Sequence, residues 1–420
     1  MSTEGNPGEW GKHWRVVLGG GAGMALLAVP TYTNGVMVIP LEEALGWTRA
    51  EIASGPVIAA ILSVFMGPVV GLVVDRVGPR RIGLIGSVVT CAGIALLSQV
   101  GETLWTWWGL WLVLSIGAIM IKPMVWTSGV ASFFDKSRGL ALAATLCGTA
   151  VCSSLTPLIT TTLVELFGWQ LAYVAAAIVW GIVLLPLIFF FFDSKRDSAR
   201  RERAGQSNNQ KISAQPVKPE DSAVKVPWET VFSLKYFKLV GGSCAMVLAT
   251  VSFVILIVPI LVDKGISMQL AAGMASMVGV TTVVGRLGGG YLLDNFNANV
   301  VTAGAVMLPC FSAILILALP ESMIAIFLAI TLLGFAAGAE YDGVAYLITR
   351  HFGLKSFGLL FGTIGGLQAM SSGLGPMAVN FVYDQTKSYD LALYLYIPTC
   401  LIGAALFLSL GPYRKSEADD

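Results

Sequence analysis

The sequence of 420 residues is 55% apolar and only 12% charged, with a mean hydropathy of +0.77. This composition excludes a soluble globular protein and predicts a membrane protein. The net charge of +1 gives no electrostatic basis for binding nucleic acid, and two histidines do not make a multi-histidine metal centre. The six cysteines fall in apolar stretches and no nucleophile–base set is visible, so we expect no disulfide framework, no cofactor and no enzyme.

Apolar runs bounded by charged and turn residues predict an all-α membrane protein with twelve transmembrane helices. Pro30 and Asn34 interrupt the first run and no small-residue cleavage site is present, so we expect an uncleaved helix rather than a signal peptide. The predicted spans, numbered α1 to α12 in chain order, are residues 14–38, 51–74, 82–99, 104–128, 138–163, 169–192, 236–261, 271–293, 300–319, 322–347, 357–382 and 390–412.

A long polar segment separates the sixth span from the seventh. Residues 193–233 are polar, contain proline and are partly basic, so they do not have the apolar side chains needed for a core. The sequence therefore predicts two six-helix bundles, residues 1–192 and 234–420, joined by a linker over 193–233. The basic cluster of the linker fits either a solvated tether that fixes the topology or a contact with anionic lipid or a partner.

Lysine and arginine are distributed unevenly over the two sides of a twelve-span chain. Twenty-one lie on the side of the termini and the linker, and three, Arg49, Lys264 and Lys387, lie on the other. Because positive charge accumulates in cytoplasmic loops, we expect both termini and the linker to be cytoplasmic. The expected location is the inner (cytoplasmic) membrane of the cell, with the lipid bilayer as a partner. A monomer is favoured, although the oligomeric state stays open.

The two halves of the chain are related by an internal repeat. A shift of 219 residues superimposes glycines, prolines and aspartates of the first half on identical residues of the second half, and one offset serves every pair. Such duplicated bundles enclose a substrate site near the membrane midplane in transporters and indicate alternating access. The pairs are Pro40 with Pro259, Gly71 with Gly290, Asp75 with Asp294, Gly139 with Gly358 and Pro157 with Pro376.

Four short motifs carry a family resemblance. The run from Gly71 to Arg81 is GLVVDRVGPRR, and it is accompanied by LGWTRAEI at 45–52, RGLA at 138–141 and FGW at 167–169. The first resembles the signature loop between helices 2 and 3 of the major facilitator superfamily. With the other three, the chain resembles the bacterial monocarboxylate-porter branch of that superfamily, over all twelve helices.

The resemblance implies a fold and an activity. The fold would be two pseudo-symmetric six-helix bundles around a cavity lined by helices 1, 2, 4 and 5 and by helices 7, 8, 10 and 11. The activity would be proton-coupled transport or exchange of organic acids, with a small carboxylate and a proton as partners. The gating residues of the cytoplasmic loop would be Asp75, Arg76 and Arg80, with Asp294 at the equivalent position in the second half.

Among the ionisable residues well inside the predicted spans, Arg286 gives the strongest functional signal. A charge at the bilayer centre costs at least ~2.5 kcal/mol, so it is expected to face a wet cavity or a partner. A guanidinium is a planar fork that binds a carboxylate through two hydrogen bonds. Arg286 also matches the helix-8 arginine that the resembling family uses for its substrate anion. One difference is Thr282, where animal members carry an aspartate. The alternative is an Arg286 that only neutralises Glu340 or Asp342.

Glu340 and Asp342 are the acids of the tenth span. Two residues apart on a helix, they point about 200° away from each other, so only one of them faces Arg286. Asp342 shares its helical face with the more polar residues, which favours it as the cavity acid and proton-coupling site. Glu340 is either a second proton-coupling candidate or a structural acid satisfied by a neighbouring helix.

Lys122 is the remaining intramembrane charge, and it precedes Pro123. Because proline leaves carbonyls of the preceding turn unpaired, we expect the fourth helix to bend here. The ammonium would bind a second carboxylate or the far end of a longer acid; alternatively, it snorkels towards the cytoplasm or pairs with an acid of the tenth helix. Trp126, one turn further on, would share its face.

Weaker substrate-binding candidates are polar residues on presumed cavity helices, although helix-to-helix hydrogen bonding is the favoured role for most of them: Tyr32, Asn34, Tyr346 and Gln368. Residues 357–382 carry no charge, whereas oxalate-exchanging relatives have a lysine there, so oxalate-type exchange is disfavoured. The competing functions are a proton-driven drug or metabolite exporter on the same fold and a transporter-like membrane sensor. The exporter is disfavoured because the fifth helix lacks a Gly-rich run with Gly-Pro.

Overall fold

The computed structural model describes residues 9–134, 138–195, 197, 232–352 and 357–412. These ranges are helical and contain no β-strand. Ten helices are long and apolar enough to span a membrane, and one of them, Leu140–Phe191, is long enough for two spans. With Phe357–Thr386, this gives the twelve spans of two six-helix bundles. The predicted linker lies almost entirely outside the described residues.

The helices follow the predicted spans closely, with ends that differ by a few residues. α5 comprises Arg138–Leu146 and the first part of Gly148–Phe191, and α6 is the remainder of that run. The other helices are α1 Glu9–Leu45, α2 Arg49–Val77, α3 Pro79–Leu96, α4 Leu104–Met120 with Pro123–Ala131, α7 Leu234–Asp263, α8 Met268–Ala275 with Met277–Asn295, α9 Ala298–Ala318, α10 Met323–Phe352, α11 Phe357–Thr386 and α12 Asp390–Leu408.

Two local features refine the predicted pattern. α1 is helical throughout, with Pro30 and Pro40 inside it, so the proline that interrupts the apolar run does not end the helix. α5 and α6 are joined without a loop. The chain reverses at Gly168 alone, which has φ 74° and ψ 167°. Only glycine adopts such a backbone conformation without strain, which explains the glycine of the FGW motif.

The two ends of the bundle are distinguished by their connections. We call the end with the α1–α2, α7–α8 and α11–α12 connections the far end, and the end with the α2–α3 connection and the last residue of α6 the linker end. Large apolar side chains such as Phe65 and Phe190, each 72% exposed, lie on the outer surface. In a soluble protein this surface would aggregate, whereas in a bilayer it faces lipid.

Among the described residues, the seam between the two halves includes the helix pairs α1 with α7, α2 with α11 and α5 with α8. Glycine permits close approach in each pair. A Cβ on Gly35 of α1 would lie 2.4 Å from the Ile255 carbonyl oxygen of α7, and one on Gly373 of α11 would lie 2.6 Å from Ala60 Cβ of α2. A Cβ on Gly279 of α8 would lie 2.1 Å from the Ala150 carbonyl oxygen. The halves are therefore in backbone contact.

Candidate functional site

The site begins with the contact between α8 and α10, which glycines bring together. A Cβ on Gly338 of α10 would lie 2.5 Å from the backbone nitrogen of Arg286 on α8. A Cβ on Gly285 would lie 2.6 Å from Cα of Phe335. Any larger residue at these two positions would push the helices apart. The helix contact therefore fixes the base of the Arg286 side chain against α10.

Arg286 of α8 and Glu340 of α10 lie near enough to each other to interact electrostatically. The Nε and Nη1 atoms of Arg286 are buried, and the Glu340 carboxyl is 2% exposed and interacts electrostatically with the Arg286 guanidinium. The Glu340 Oε1 atom has no hydrogen-bond partner in the described structure. Arg286 is nine residues from the end of α8 at Asn295, about 14 Å along the helix. A buried cation and a buried acid thus lie together well inside the membrane.

The first half contributes Tyr32 of α1 to the same place. Tyr32 lies beside Ser153 of α5 and interacts electrostatically with Glu340. Ser153 in turn lies against α8, because a Cβ on Gly279 would approach its Oγ to 2.6 Å. Side chains from α1, α5, α8 and α10 therefore converge at the seam. Arg286, Glu340 and Tyr32, three of the residues singled out in the sequence, belong to this group.

Lys122 lies at a break in α4. The first segment ends at Met120, the second begins at Pro123, and Lys122 is in an extended conformation with φ −58° and ψ 156°. The predicted bend is therefore a complete interruption of the helix. The Lys122 side chain is half-buried, and its ammonium makes no hydrogen bond or ion pair with the described residues. Discontinuous helices of this kind mark binding sites in transporters.

Trp126 is located within the first half rather than at the seam. Its side chain is fully buried, and its Nε1 atom donates a hydrogen bond of 2.7 Å to the Ile121 carbonyl oxygen. Its ring fills the space left by Gly23 of α1, where a Cβ would lie 2.2 Å from a ring carbon. Trp126 satisfies a carbonyl freed by the interruption and packs α4 against α1. It does not join Arg286 and Glu340.

The other candidates are spread more widely. Asn34 and Gln368 are buried with 5% and 1% exposure, and their side chains contain amide atoms without a hydrogen-bond partner in the described structure. Tyr346 accepts a 2.7 Å hydrogen bond from the Arg350 guanidinium, towards the linker end of α10. Asp342 lies within α10, but its side chain is outside the described residues. The assignment of Asp342 as the cavity acid and proton-coupling site therefore stays a prediction.

The loop at the linker end contains the predicted gating residues. Arg80 donates hydrogen bonds to the carbonyl oxygens of Phe189 and Phe192 at the end of α6, the first at 2.6 Å. Its backbone nitrogen donates to Asp197 at 3.2 Å. These contacts tie α3 to α6 within the first half. Arg76 is exposed. The side chains of Asp75 and Asp294 are outside the described residues, so their gating role is not tested.

A second polar cluster, at the far end of the seam, was not predicted. It contains Glu42 and Arg49 from the first half and Tyr383, Asp384 and Tyr389 from the second. Burial raises the pKa of the Tyr389 phenol, which keeps it protonated. From the sequence, Arg49 is only a loop charge on the side opposite the linker. The available signal was the pair Thr48 and Glu51, a helix-capping box in the LGWTRAEI motif.

Comparisons with known proteins agree with this architecture. The family model of the Major Facilitator Superfamily matches residues 16–376. A bacterial homologue of the human lysosomal transporter Spinster, in an inward-facing and occupied conformation, has a TM-score of 0.70 at 14% identity, covering 94% of this chain and 96% of that one. A D-xylose–proton symporter has a TM-score of 0.68 at 12% identity, covering 95% and 98%. At these identities the likeness shows the fold alone.

Sequence relatives include two monocarboxylate transporters. Monocarboxylate transporter 9 of Rattus norvegicus is 21% identical, covering 93% of this chain and 92% of the relative. Monocarboxylate transporter 2 of Mesocricetus auratus is 22% identical, covering 82% and 72%. The MFS transporter asaE of Aspergillus flavus is 26% identical over 72% of this chain, but the match spans only 65% of asaE.

Proposed function

The chain belongs to the major facilitator superfamily, and we propose that it is a secondary active transporter of organic acid anions, coupled to protons, that works by alternating access. The observation that carries this proposal is the convergence of Arg286 and Glu340 at the seam, beside Tyr32 of the opposite half. Because the two halves both contribute side chains to this site, the distances within the site change each time the halves move. The similarity to monocarboxylate transporters supports the same substrate class.

Arg286 is the proposed carboxylate anchor. Its planar guanidinium presents parallel N–H donors that match the two oxygens of a carboxylate. Tyr32 brings a hydroxyl group of the first half to the same place, where it can contact the bound acid from the other side of the seam. The acid would then bridge the halves. Binding would therefore be linked to the movement between them.

Glu340 is the proposed proton-coupling acid, because its buried carboxyl interacts electrostatically with Arg286. Without substrate, the charges of Arg286 and an ionised Glu340 cancel. When a carboxylate binds to Arg286, a second negative charge in this buried place is unfavourable, so Glu340 takes up a proton. The loaded site then has the same net charge as the empty one. This arrangement predicts one proton for each carboxylate, with Asp342 as the alternative acid.

Lys122 is the proposed second cation of the site. It lies at the interruption of α4 in the first half, whereas Arg286 belongs to the second half. A substrate with a second anionic or strongly hydrogen-bonding group would use both cations. Asn34, Gln368 and Tyr346 are retained as weaker candidates for contact with the rest of the substrate.

The proposed sidedness follows from the charge distribution. The linker end, both termini and residues 193–233 would face the cytoplasm, and the far end would face outwards across the inner membrane. The chain would function as a monomer of two bundles, 1–192 and 234–420. Asp75, Arg76, Arg80 and Asp294 would act in the cytoplasmic gate.

Uptake into proteoliposomes tests the proposal directly. Purified protein is reconstituted and supplied with radiolabelled mono-, di- and aromatic carboxylates, with and without an inward proton gradient. We expect at least one carboxylate to accumulate against its gradient, and accumulation to disappear when a protonophore collapses the pH difference. Uptake of a neutral sugar or a cationic drug instead of every carboxylate would overturn the proposal.

The role of Lys122 as the second cation is tested separately, by comparing the uptake rate of an acid with two anionic groups (a two-headed acid) with that of a simple monocarboxylate. Lys122→Gln should reduce the rate for the two-headed acid much more. An unchanged ratio would make Lys122 a snorkelling or structural charge and leave a plain monocarboxylate carrier.

A further inference from the structure

The far-end cluster joins the two halves through Arg49. This residue begins α2, and its side chain is only 8% exposed because it extends across the seam. Its Nη1 atom donates a 3.0 Å hydrogen bond to the Tyr389 hydroxyl of the second half, and its Cζ atom lies 3.7 Å from the centroid of the Tyr383 ring. Its Nε atom donates to Glu42 of its own half at 2.7 Å. The Arg49 side chain is therefore bound by Tyr383 and Tyr389 of the opposite bundle.

Asp384, at the end of α11, completes the connection by capping α2. Its Oδ1 atom accepts from the backbone nitrogen of Arg49 at 3.0 Å, and its Oδ2 atom accepts from that of Ala50 at 2.9 Å. The next backbone nitrogen, of Glu51, donates to Thr48 within the first half. The second half thus supplies two of the first three acceptors at this helix terminus. A carboxylate is also favoured there by the helix dipole.

We infer that Arg49 and Asp384 form an outer latch that holds the halves together at the far end and opens in each transport cycle. The inference rests on the proposed alternating-access function, and it adds the residues that close the outer side. No residue of the latch belongs to the Arg286 site. The latch sets how often the far end opens, whereas the site sets what is carried.

The arrangement is suited to reversible opening because each side keeps internal partners after separation. Arg49 keeps Glu42, and α2 keeps the capping box of Thr48 and Glu51. In the second half, the Tyr389 hydroxyl keeps its 2.9 Å hydrogen bond to Asn380. The groups released at the seam are polar and can be solvated by water entering from the far end. Opening therefore exchanges hydrogen bonds without unfolding either half.

The experiment measures the far-end distance between the halves without substrate or a proton gradient. Spin labels are placed at Thr103 and Glu321, which are exposed far-end residues of the first and second half, in the full chain with its six native cysteines replaced. Pulsed electron resonance gives the distance distribution in lipid nanodiscs. Asp384→Ala and Arg49→Gln should each raise the population with the longer distance about fivefold to tenfold.

Asp390→Asn is the matched control. It removes a carboxylate from the same end of the protein, but Asp390 pairs with Lys264, which belongs to the same half. The distance distribution should therefore stay that of the parent chain. If Asp384→Ala is poorly folded, Asp384→Asn keeps the shape and one acceptor, and Tyr389→Phe removes only a hydroxyl group. Both should shift the distribution in the same direction by a smaller factor.

Distributions that are unchanged in the Asp384 and Arg49 variants would overturn the latch. A shift of equal size in Asp390→Asn would overturn it too, since the effect would then follow net charge and not the seam. Neither result depends on what is transported. A chain that carries no carboxylate can still show the latch, and a carboxylate transporter can still lack it.

Discussion

The seams α2–α11 and α5–α8 are related by the internal repeat but are built differently. The α2–α11 seam has the latch, in which the Arg49 side chain donates to Tyr389 and Asp384 accepts from backbone nitrogens of α2. The offset of 219 residues places Met268 and the exposed Glu165 at the equivalent positions of the α5–α8 seam. That seam is held by the glycine contact at Gly279. The two copies of the repeat therefore share one helix arrangement, but their seams close through different contacts.

The difference separates two tasks. The α2–α11 seam ends in polar groups that water can replace, so it is suited to opening at the far end. The α5–α8 seam leads to the site, because Ser153 contacts both Gly279 and Tyr32 and α8 carries Arg286. A change in the α2–α11 seam should therefore alter opening, and a change in the α5–α8 seam should alter opening and binding together.

The largest effect is expected from Gly279→Leu. A Cβ at this position would lie 2.1 Å from a backbone oxygen, so α5 and α8 should not pack together at this point of their seam. Overpacking of this kind costs about 1–3 kcal/mol, so we expect the transport rate to fall tenfold or more. Gly273→Leu is the control, since a Cβ there has no heavy atom within 4 Å in the described structure. Equal losses in both variants would remove the special role of the glycine contact.

A more selective effect is expected from Glu340→Gln. Glutamine keeps the shape but does not exchange a proton, so accumulation driven by a pH gradient should be lost. Counterflow of labelled against unlabelled substrate should continue, because that exchange requires no net proton movement. Asp342→Asn is the comparison variant. Should it lose gradient-driven accumulation while Glu340→Gln keeps it, the acids have the opposite roles.

The smallest effect is expected from Glu165→Gln. Glu165 occupies the position equivalent to Asp384, but it is exposed. The substitution should leave both the far-end distance distribution and the transport rate unchanged. If Glu165→Gln opens the far end as strongly as Asp384→Ala does, the two seams are functionally alike and the comparison fails.

Much of the fold could be predicted from the sequence because hydropathy fixes where a helix crosses a bilayer. The twelve spans are confirmed, and the bend predicted at Lys122 and Pro123 is found as an interruption of α4. Both are local properties, since an apolar run or a proline acts on its own segment. The reversal at Gly168 was missed as a one-residue turn, although its motif was noticed.

The site was predictable only in part. Arg286 and Glu340 stood out because a charge inside an apolar span is costly and rare. Which acid faces Arg286 depends on the rotation of α10, and this is set by the contact of Gly338 with α8. The latch joins Arg49 to residues more than 330 positions away. No local pattern encodes such a pairing.

The most direct test of the central claim is the uptake rate of Arg286→Lys, measured with the carboxylate that the wild-type protein transports best. Lysine keeps the positive charge that balances Glu340 but loses the planar fork that holds a carboxylate through two hydrogen bonds. We predict that the variant, at equal amounts in the membrane, transports the acid at least tenfold more slowly, a loss of about 1.4 kcal/mol or more. A rate close to that of the wild-type protein would contradict the assignment of Arg286 as the carboxylate anchor.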